Sequence, residues 1–200
     1  MKVIARRFRD LVREWVWNHR LRRALRQERE GDAYERYVRA THRLLCVPQD
    51  YPGRLRLPFQ RESSNLVALP CGLWGELRQL DASIVARLDA MRRDAARDGV
   101  SLIVRWGYRS ASDQTEMIRR QLRFGAPMSE ILTRVAAPGY SEHHTGRAID
   151  FERIPGDRPF ELTEAYRWLR ENGSRFDCFM SYPEGNAAGV IYEPWHWYLR

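Results

Sequence analysis

Ser141-Glu142-His143-His144-Thr145-Gly146-Arg147-Ala148-Ile149-Asp150 sets two histidines and an aspartate around a glycine and an alanine. His143 and Asp150 lie seven residues apart. Gly146 gives the backbone between them the freedom to fold back, so both side chains are able to converge. Ala148 is small enough to sit close to whatever they hold. Residues 148–151 read as a short strand fed by this loop, which places Asp150 on a sheet.

A second cluster, Glu193-Pro194-Trp195-His196-Trp197, follows late in the chain. A catalytic zinc takes three nitrogen or oxygen ligands from the protein and keeps one position open. His143, Asp150 and His196 would supply two imidazoles and a carboxylate. A hydrolase also needs a base near the metal, and Glu193 stands three residues before His196. On an ideal strand that odd spacing would put the two on opposite faces. Pro194 argues for an irregular turn that brings them to one side. A lone His–Asp pair in a loop is commonly structural; the combined spacing of both clusters is what points to a metal site.

The surrounding chain alternates helices with short strands. Ile84, Val85, Leu88, Met91 and Ala95 form a helical stripe stopped at Asp98-Gly99. Residues 101–106 suit a strand. Ser110 to Asp113 has the form of a capping box opening a helix with Met117, Ile118, Gln121 and Leu122. A short helix is expected after Pro127, and a longer one over 160–172. Further strands are expected over 179–182, 190–192 and 195–199. Strands gathered late, with helices mostly before them, indicate an α+β domain over about 65–200. Trp195 and Trp197 flank His196, one suited to wall a cleft and the other to the core. Glu142 and Glu152 read as supporting or surface groups.

Ser141-x-His143-x-x-Gly146-x-Ala148-x-Asp150, followed by Glu193-x-x-His196, resembles the zinc D-alanyl-D-alanine carboxypeptidase family of the VanY type. Gly107-Tyr108-Arg109-Ser110, with Gln114 after it, is similar to an upstream segment of that family. So is the approach Pro138-Gly139-Tyr140 to the metal loop. The resemblance covers about residues 65–200. It implies a small antiparallel sheet with flanking helices, the zinc D,D-peptidase or hedgehog-like fold, and one Zn2+ per chain held by His143, Asp150 and His196. It implies Glu193 as general base and Arg109 as the group that polarises the scissile carbonyl. Ser110, Gln114 and Ser141 would help hold the substrate's terminal carboxylate or backbone. The implied reaction is removal of the C-terminal D-amino acid from peptidoglycan stem peptides. Relatives of the same zinc core would be D,D-dipeptidases, L,D-carboxypeptidases or phage-type endopeptidases; the alternative from another class is a non-catalytic zinc domain that binds such peptides. Trp106, His144 and Arg147 depart from the family's pattern. His144 is a rival ligand, disfavoured by its spacing to Asp150.

The 200 residues carry 34 basic and 26 acidic side chains, a net +8. Residues 1–29 hold ten basic residues against three acids, leaving 24 and 23 for the rest. The basicity therefore belongs to the N-terminus. There Ile4, Phe8, Leu11, Val12, Trp15, Leu21, Ala24 and Leu25 recur at helical spacing among arginines. Residues 1–64 read as a basic amphipathic extension: two helices broken at Gly31-Asp32, then a Pro-rich linker. Residues 1–29 would either pack on the domain or make peripheral contact with an anionic membrane. No nucleic-acid fingerprint accompanies the arginines. No apolar run of ~18 residues or signal-peptide core occurs, and Cys46, Cys71 and Cys178 build no disulfide framework, so a cytoplasmic location is weakly favoured, with action at the envelope open. Oligomeric state is not legible.

Overall fold

The computed structural model describes residues 2–152 and 159–200, with side chains throughout except those of residues 2–9 and 52. Ile4 and Phe8 of the expected stripe thus lie outside the described side chains. Helix α1 (Lys2–Gln27) leads to α2 (Ala33–Leu45). Asp32 opens α2 with a capping box: its carboxylate accepts from the Glu35 amide, and the Glu35 side chain returns the bond.

Residues 48–58, expected as linker, hold a short helix α3 (Tyr51–Leu55) with proline in its first turn. Proline is tolerated there because the first helical N–H groups have no partner within the helix. A hairpin of β1 (Leu66–Pro70) and β2 (Leu77–Asp81) follows, which the sequence did not announce. Next come α4 (Ala82–Arg97), β3 (Ile103–Trp106), α5 (Ala111–Arg123) and α6 (Met128–Arg134). A 3-10 turn (Glu142–Thr145) feeds β4 (Ala148–Glu152). The helix expected over 160–172 is broken into a 3-10 turn (Phe160–Leu162) and α7 (Glu164–Asn172), because the Thr163 hydroxyl caps the Tyr166 amide. Strands β5 (Cys178–Met180) and β6 (His196–Leu199) close the chain. Residues 190–192, expected as a strand, form none; Ile191 instead donates its amide to the Thr133 carbonyl.

The main sheet is antiparallel in the order β3-β4-β6-β5. Period-two alternation sorts its side chains. Ile149, Phe151, Trp197 and Leu199 join Ile84, Leu88 and Met91 of α4 and Trp168 and Leu169 of α7 in one core. Asp150 and His196 therefore face the other way. There a second core lies, made of Leu45, Tyr51, Leu57, Ile118, Ile131, Ala137 and Tyr182. Tyr51 is buried and its hydroxyl accepts the Ala137 amide at 2.9 Å. The cleft opens between these two cores.

Candidate active site: a His–Asp–His metal centre

Strand register makes the first contact. Asp150 on β4 and His196 on β6 are direct cross-strand partners, so their side chains emerge together on one face. A bulge between Val104 and Trp106 also sets Trp106 opposite Asp150. His143 arrives from the 3-10 turn. Gly146 ends that turn at φ +67°, and a Cβ there would lie 2.8 Å from the Asp81 amide nitrogen. That amide donates to the Gly146 carbonyl at 2.9 Å. Glycine is required both by the left-handed backbone and by the close approach of the hairpin.

His143, Asp150 and His196 offer ligand atoms that all lie within 4.8 Å of one another, and all three residues are buried. Asp150 Oδ1 lies 2.8 Å from His196 Nδ1 and 3.3 Å from His143 Nε2. The remaining ring nitrogens are held from behind. His143 Nδ1 donates to the Gly107 carbonyl at 2.7 Å, and His196 Nε2 donates to Glu142 Oε2 at 2.9 Å. Ser181 Oγ donates to the same Glu142 oxygen at 2.5 Å. Fixing the outer nitrogen this way leaves His143 Nε2 and His196 Nδ1 free to ligate, which is how metal-binding histidines are oriented. Gly107 is itself forced: a Cβ there would meet the Gln79 carbonyl at 2.5 Å. Two imidazole nitrogens and one carboxylate oxygen, buried and backed by hydrogen bonds, fit a zinc ion with one side open to the cleft.

Burial by itself would raise the Asp150 carboxyl; His143 and His196 outweigh it and hold the group well below the usual range. Burial opposes charge on His196, but hydrogen bonds to Asp150 and Glu142 push its pKa up to about 10. Burial keeps His143 below its ordinary value despite Asp150.

The cleft beside the trio has a volume of about 500 Å³. Glu193 lines it, and the irregular turn expected at Pro194 is present: the His196 amide donates to the Glu193 carbonyl at 3.0 Å. Burial pushes the Glu193 carboxyl up to about 7, with Asp150 and Glu142 adding to the rise and His196 and Arg109 opposing it. Arg109 lines the same cleft, its pKa lowered by desolvation. Its Nη1 donates to Gln114 Oε1 at 3.0 Å, and Gln114 Nε2 donates to the Ala136 carbonyl at 2.6 Å. Gln114 is thus a brace for Arg109. Ser141 lines the cleft, whereas Ser110 does not; its hydroxyl donates to Asp113 and accepts the Asp113 amide in the cap of α5.

His144 is excluded as a ligand. Its Nδ1 donates to the Arg109 carbonyl at 2.6 Å and its Nε2 accepts the Gly139 amide at 3.1 Å, so neither nitrogen is spare. It ties the arginine's backbone to the metal loop. Trp195 and Trp106 wall the cleft, while Trp197 is buried in the core. Burial pushes the Cys178 thiol up to about 12, which leaves it no nucleophilic role. Sequence reasoning missed the specific tasks of Glu142, Ser181 and the Gly107 carbonyl. Only the position of Glu142 beside His143 hinted at one of them.

A family model described as VanY, D-alanyl-D-alanine carboxypeptidase, matches residues 77–199. A D-alanyl-D-alanine carboxypeptidase of Enterococcus faecalis (strain ATCC 700802 / V583) is 39% identical over 116 residues, which is 52% of this chain and 42% of that relative's length. The chain thus spans less than half of that curated relative. Among solved structures, a glutamate-to-alanine mutant of the vancomycin resistance D,D-pentapeptidase VanY in complex with Zn(II) superposes with a TM-score of 0.53 at 29% identity, covering 74% of this chain and 81% of its own. The LdcB LD-carboxypeptidase superposes at 0.60 with 26% identity, covering 71% of each chain. The zinc-type trio, the glutamate three residues before its last histidine and the matched family model agree, and the chain belongs to the VanY D-alanyl-D-alanine carboxypeptidase family.

Proposed function

We propose that this chain is a zinc carboxypeptidase that removes the C-terminal D-amino acid from peptidoglycan stem peptides, working at the cell envelope with residues 1–29 in peripheral contact with an anionic membrane. The observation that carries the reaction is the convergence of Glu193, Arg109 and the His143–Asp150–His196 trio on one cleft. A zinc ion bound there supplies Lewis acidity and lowers the pKa of its water to roughly 7. Glu193 is the base that takes the attacking water's proton and later delivers it to the departing amine. A carboxyl titrating near neutrality is suited to both transfers. Arg109, held by Gln114, meets the carbonyl oxygen as charge develops on it. Ser141 is placed to hold the peptide's backbone or terminal carboxylate. Ser110 serves indirectly, by fixing the start of the helix that carries Gln114.

Mass analysis of defined muropeptides, digested with and without a chelator, tests this. Chelator-sensitive loss of a single D-alanine from the pentapeptide is expected. Release of a dipeptide, trimming only of the L,D-linked tetrapeptide, or cross-link cleavage would replace it with the dipeptidase, L,D-carboxypeptidase or endopeptidase reading. Saturable peptide binding without hydrolysis would leave a binding domain.

A further inference from the structure

Helix α1 carries two opposed faces. One is fixed to the body. Arg119 of α5 donates to both carboxylate oxygens of Glu14, at 2.9 and 3.1 Å, and its guanidinium lies 4.2 Å over the Trp17 ring. One and two turns on, Leu21, Ala24 and Leu25 continue this side, with Ala24 buried. Glu28, just past the helix, is gripped by Arg39 and Arg43 of α2. The helix is therefore pinned at Glu14 and again just beyond its C-terminal end, and its rotation is set.

At ~100° per residue, the opposite side is formed by Leu11, Val12, Trp15 and Val16, then by His19, Arg22, Arg23 and Arg26. Leu11 and Trp15 are each 69% exposed. Among the described residues Arg20, Arg22, Arg23 and Arg26 make no ion pair. The stripe expected from the sequence is thus divided: Leu21, Ala24 and Leu25 turn toward the body, while Leu11, Val12 and Trp15 turn away. An exposed apolar patch holding a tryptophan, followed along the same face by arginines without an ion pair among the described residues, combines the two attractions that hold a helix on an anionic lipid interface: apolar insertion and pairing with phosphate.

We infer that this outward face of α1 docks the enzyme on an anionic lipid bilayer, with Leu11, Val12, Trp15 and Val16 entering the interface and Arg22, Arg23 and Arg26 meeting lipid phosphates. It rests on the envelope placement proposed above. Charge complementarity favours lipid over a second copy of the chain: a bilayer offers phosphates to Arg22, Arg23 and Arg26, whereas the outward face of a second α1 presents no carboxylate to them. Guanidiniums also pair with phosphate bidentately.

The test is sedimentation of the full-length protein with phosphatidylglycerol/phosphatidylcholine vesicles and with pure phosphatidylcholine vesicles, alongside hydrolysis of a soluble muropeptide. Binding only to the anionic vesicles, weakened at least tenfold by R22S/R23S/R26S and by L11S/W15S but not by R97S/R167S, is expected, with unchanged hydrolysis. No binding to anionic vesicles at low salt overturns the inference. So does a concentration-dependent dimer abolished by L11S/W15S without vesicle binding, or retention on DNA alone. Vesicle binding without hydrolysis leaves the inference standing and removes the reaction proposed above.

Discussion

Within the metal trio each charged group has an opposite charge beside it, whereas among the described residues the arginines along the outer face of α1 have none. Asp150 faces two imidazoles, His196 faces two carboxylates, and Glu142 accepts from both His196 and Ser181. Arg22, Arg23 and Arg26 face solvent. Burial explains the contrast. A desolvated charge must be paired, while an exposed one is stabilised by water and remains available to a partner. On the proposed function, charge in the cleft serves the chemistry and charge on the helix serves attachment.

The largest expected effects break the trio itself. His143→Ala should lose stoichiometric zinc, and zinc retained near one per chain would refute the ligand set. Glu193→Gln should keep zinc and lose about 10²–10⁴-fold in kcat. Wild-type turnover in that variant would remove Glu193 as the base. Glu142→Ala should weaken zinc by about 10–100-fold in a chelator competition, through loss of the hydrogen bond to His196 Nε2. Glu142→Gln, which keeps an acceptor, should recover most of that loss. An unaltered affinity in Glu142→Ala would mean the contact is incidental.

Acidity should sharpen the same contrast. Metal-free His196 keeps its second proton up to about pH 10, because Asp150 and Glu142 outweigh its burial. Zinc needs Nδ1 unprotonated, so binding below that pH expels a proton and affinity falls by about tenfold per unit of acidification. Calorimetry in two buffers of different ionisation enthalpy reads this proton directly. As the proposed base, Glu193 would work only when ionised, so kcat/KM should also fall on the acid side of its pKa. The smallest effect is expected from deleting residues 1–29, with hydrolysis of a soluble muropeptide within about threefold of the full chain and anionic-vesicle binding lost. Deleting residues 1–64 should instead destroy the fold. That cut removes Tyr51 from the second core, and it removes Gln60 and Ser63, whose amides donate to the Gly139 and His144 carbonyls of the metal loop. A soluble, active product would show the loop to be self-supporting.

The metal site was readable because its signals are local: seven residues from His143 to Asp150, three from Glu193 to His196, and a glycine that the turn requires. The capping box at Ser110 was equally readable. Its consequence for function was not, since the same hydroxyl cannot both cap α5 and face the cleft. The β1–β2 hairpin was hidden. Pro70 ends one strand, and Arg78 and Gln79 blur the alternation of the other. Prolines at 48 and 52 suggested a linker, although a proline also suits the first turn of a helix, as in α3. The division of the α1 stripe was likewise invisible: helical spacing shows which residues share a face, but which face turns to the body is fixed by Arg119 and by Glu28's partners.

The sequence by itself named the candidate donor set, the proposed base and the α+β class, because each depends on residue identity and short spacing. Tertiary structure alone decided which nitrogen of each histidine faces Asp150, that His144 ties the Arg109 and Gly139 backbones, that Gln114 braces Arg109, and which side of α1 is left to solvent. Apart from the contact of Gln114 with Arg109, five residues away, those outcomes depend on atoms 35 to 105 residues apart being brought within hydrogen-bonding distance, and no local pattern encodes that approach.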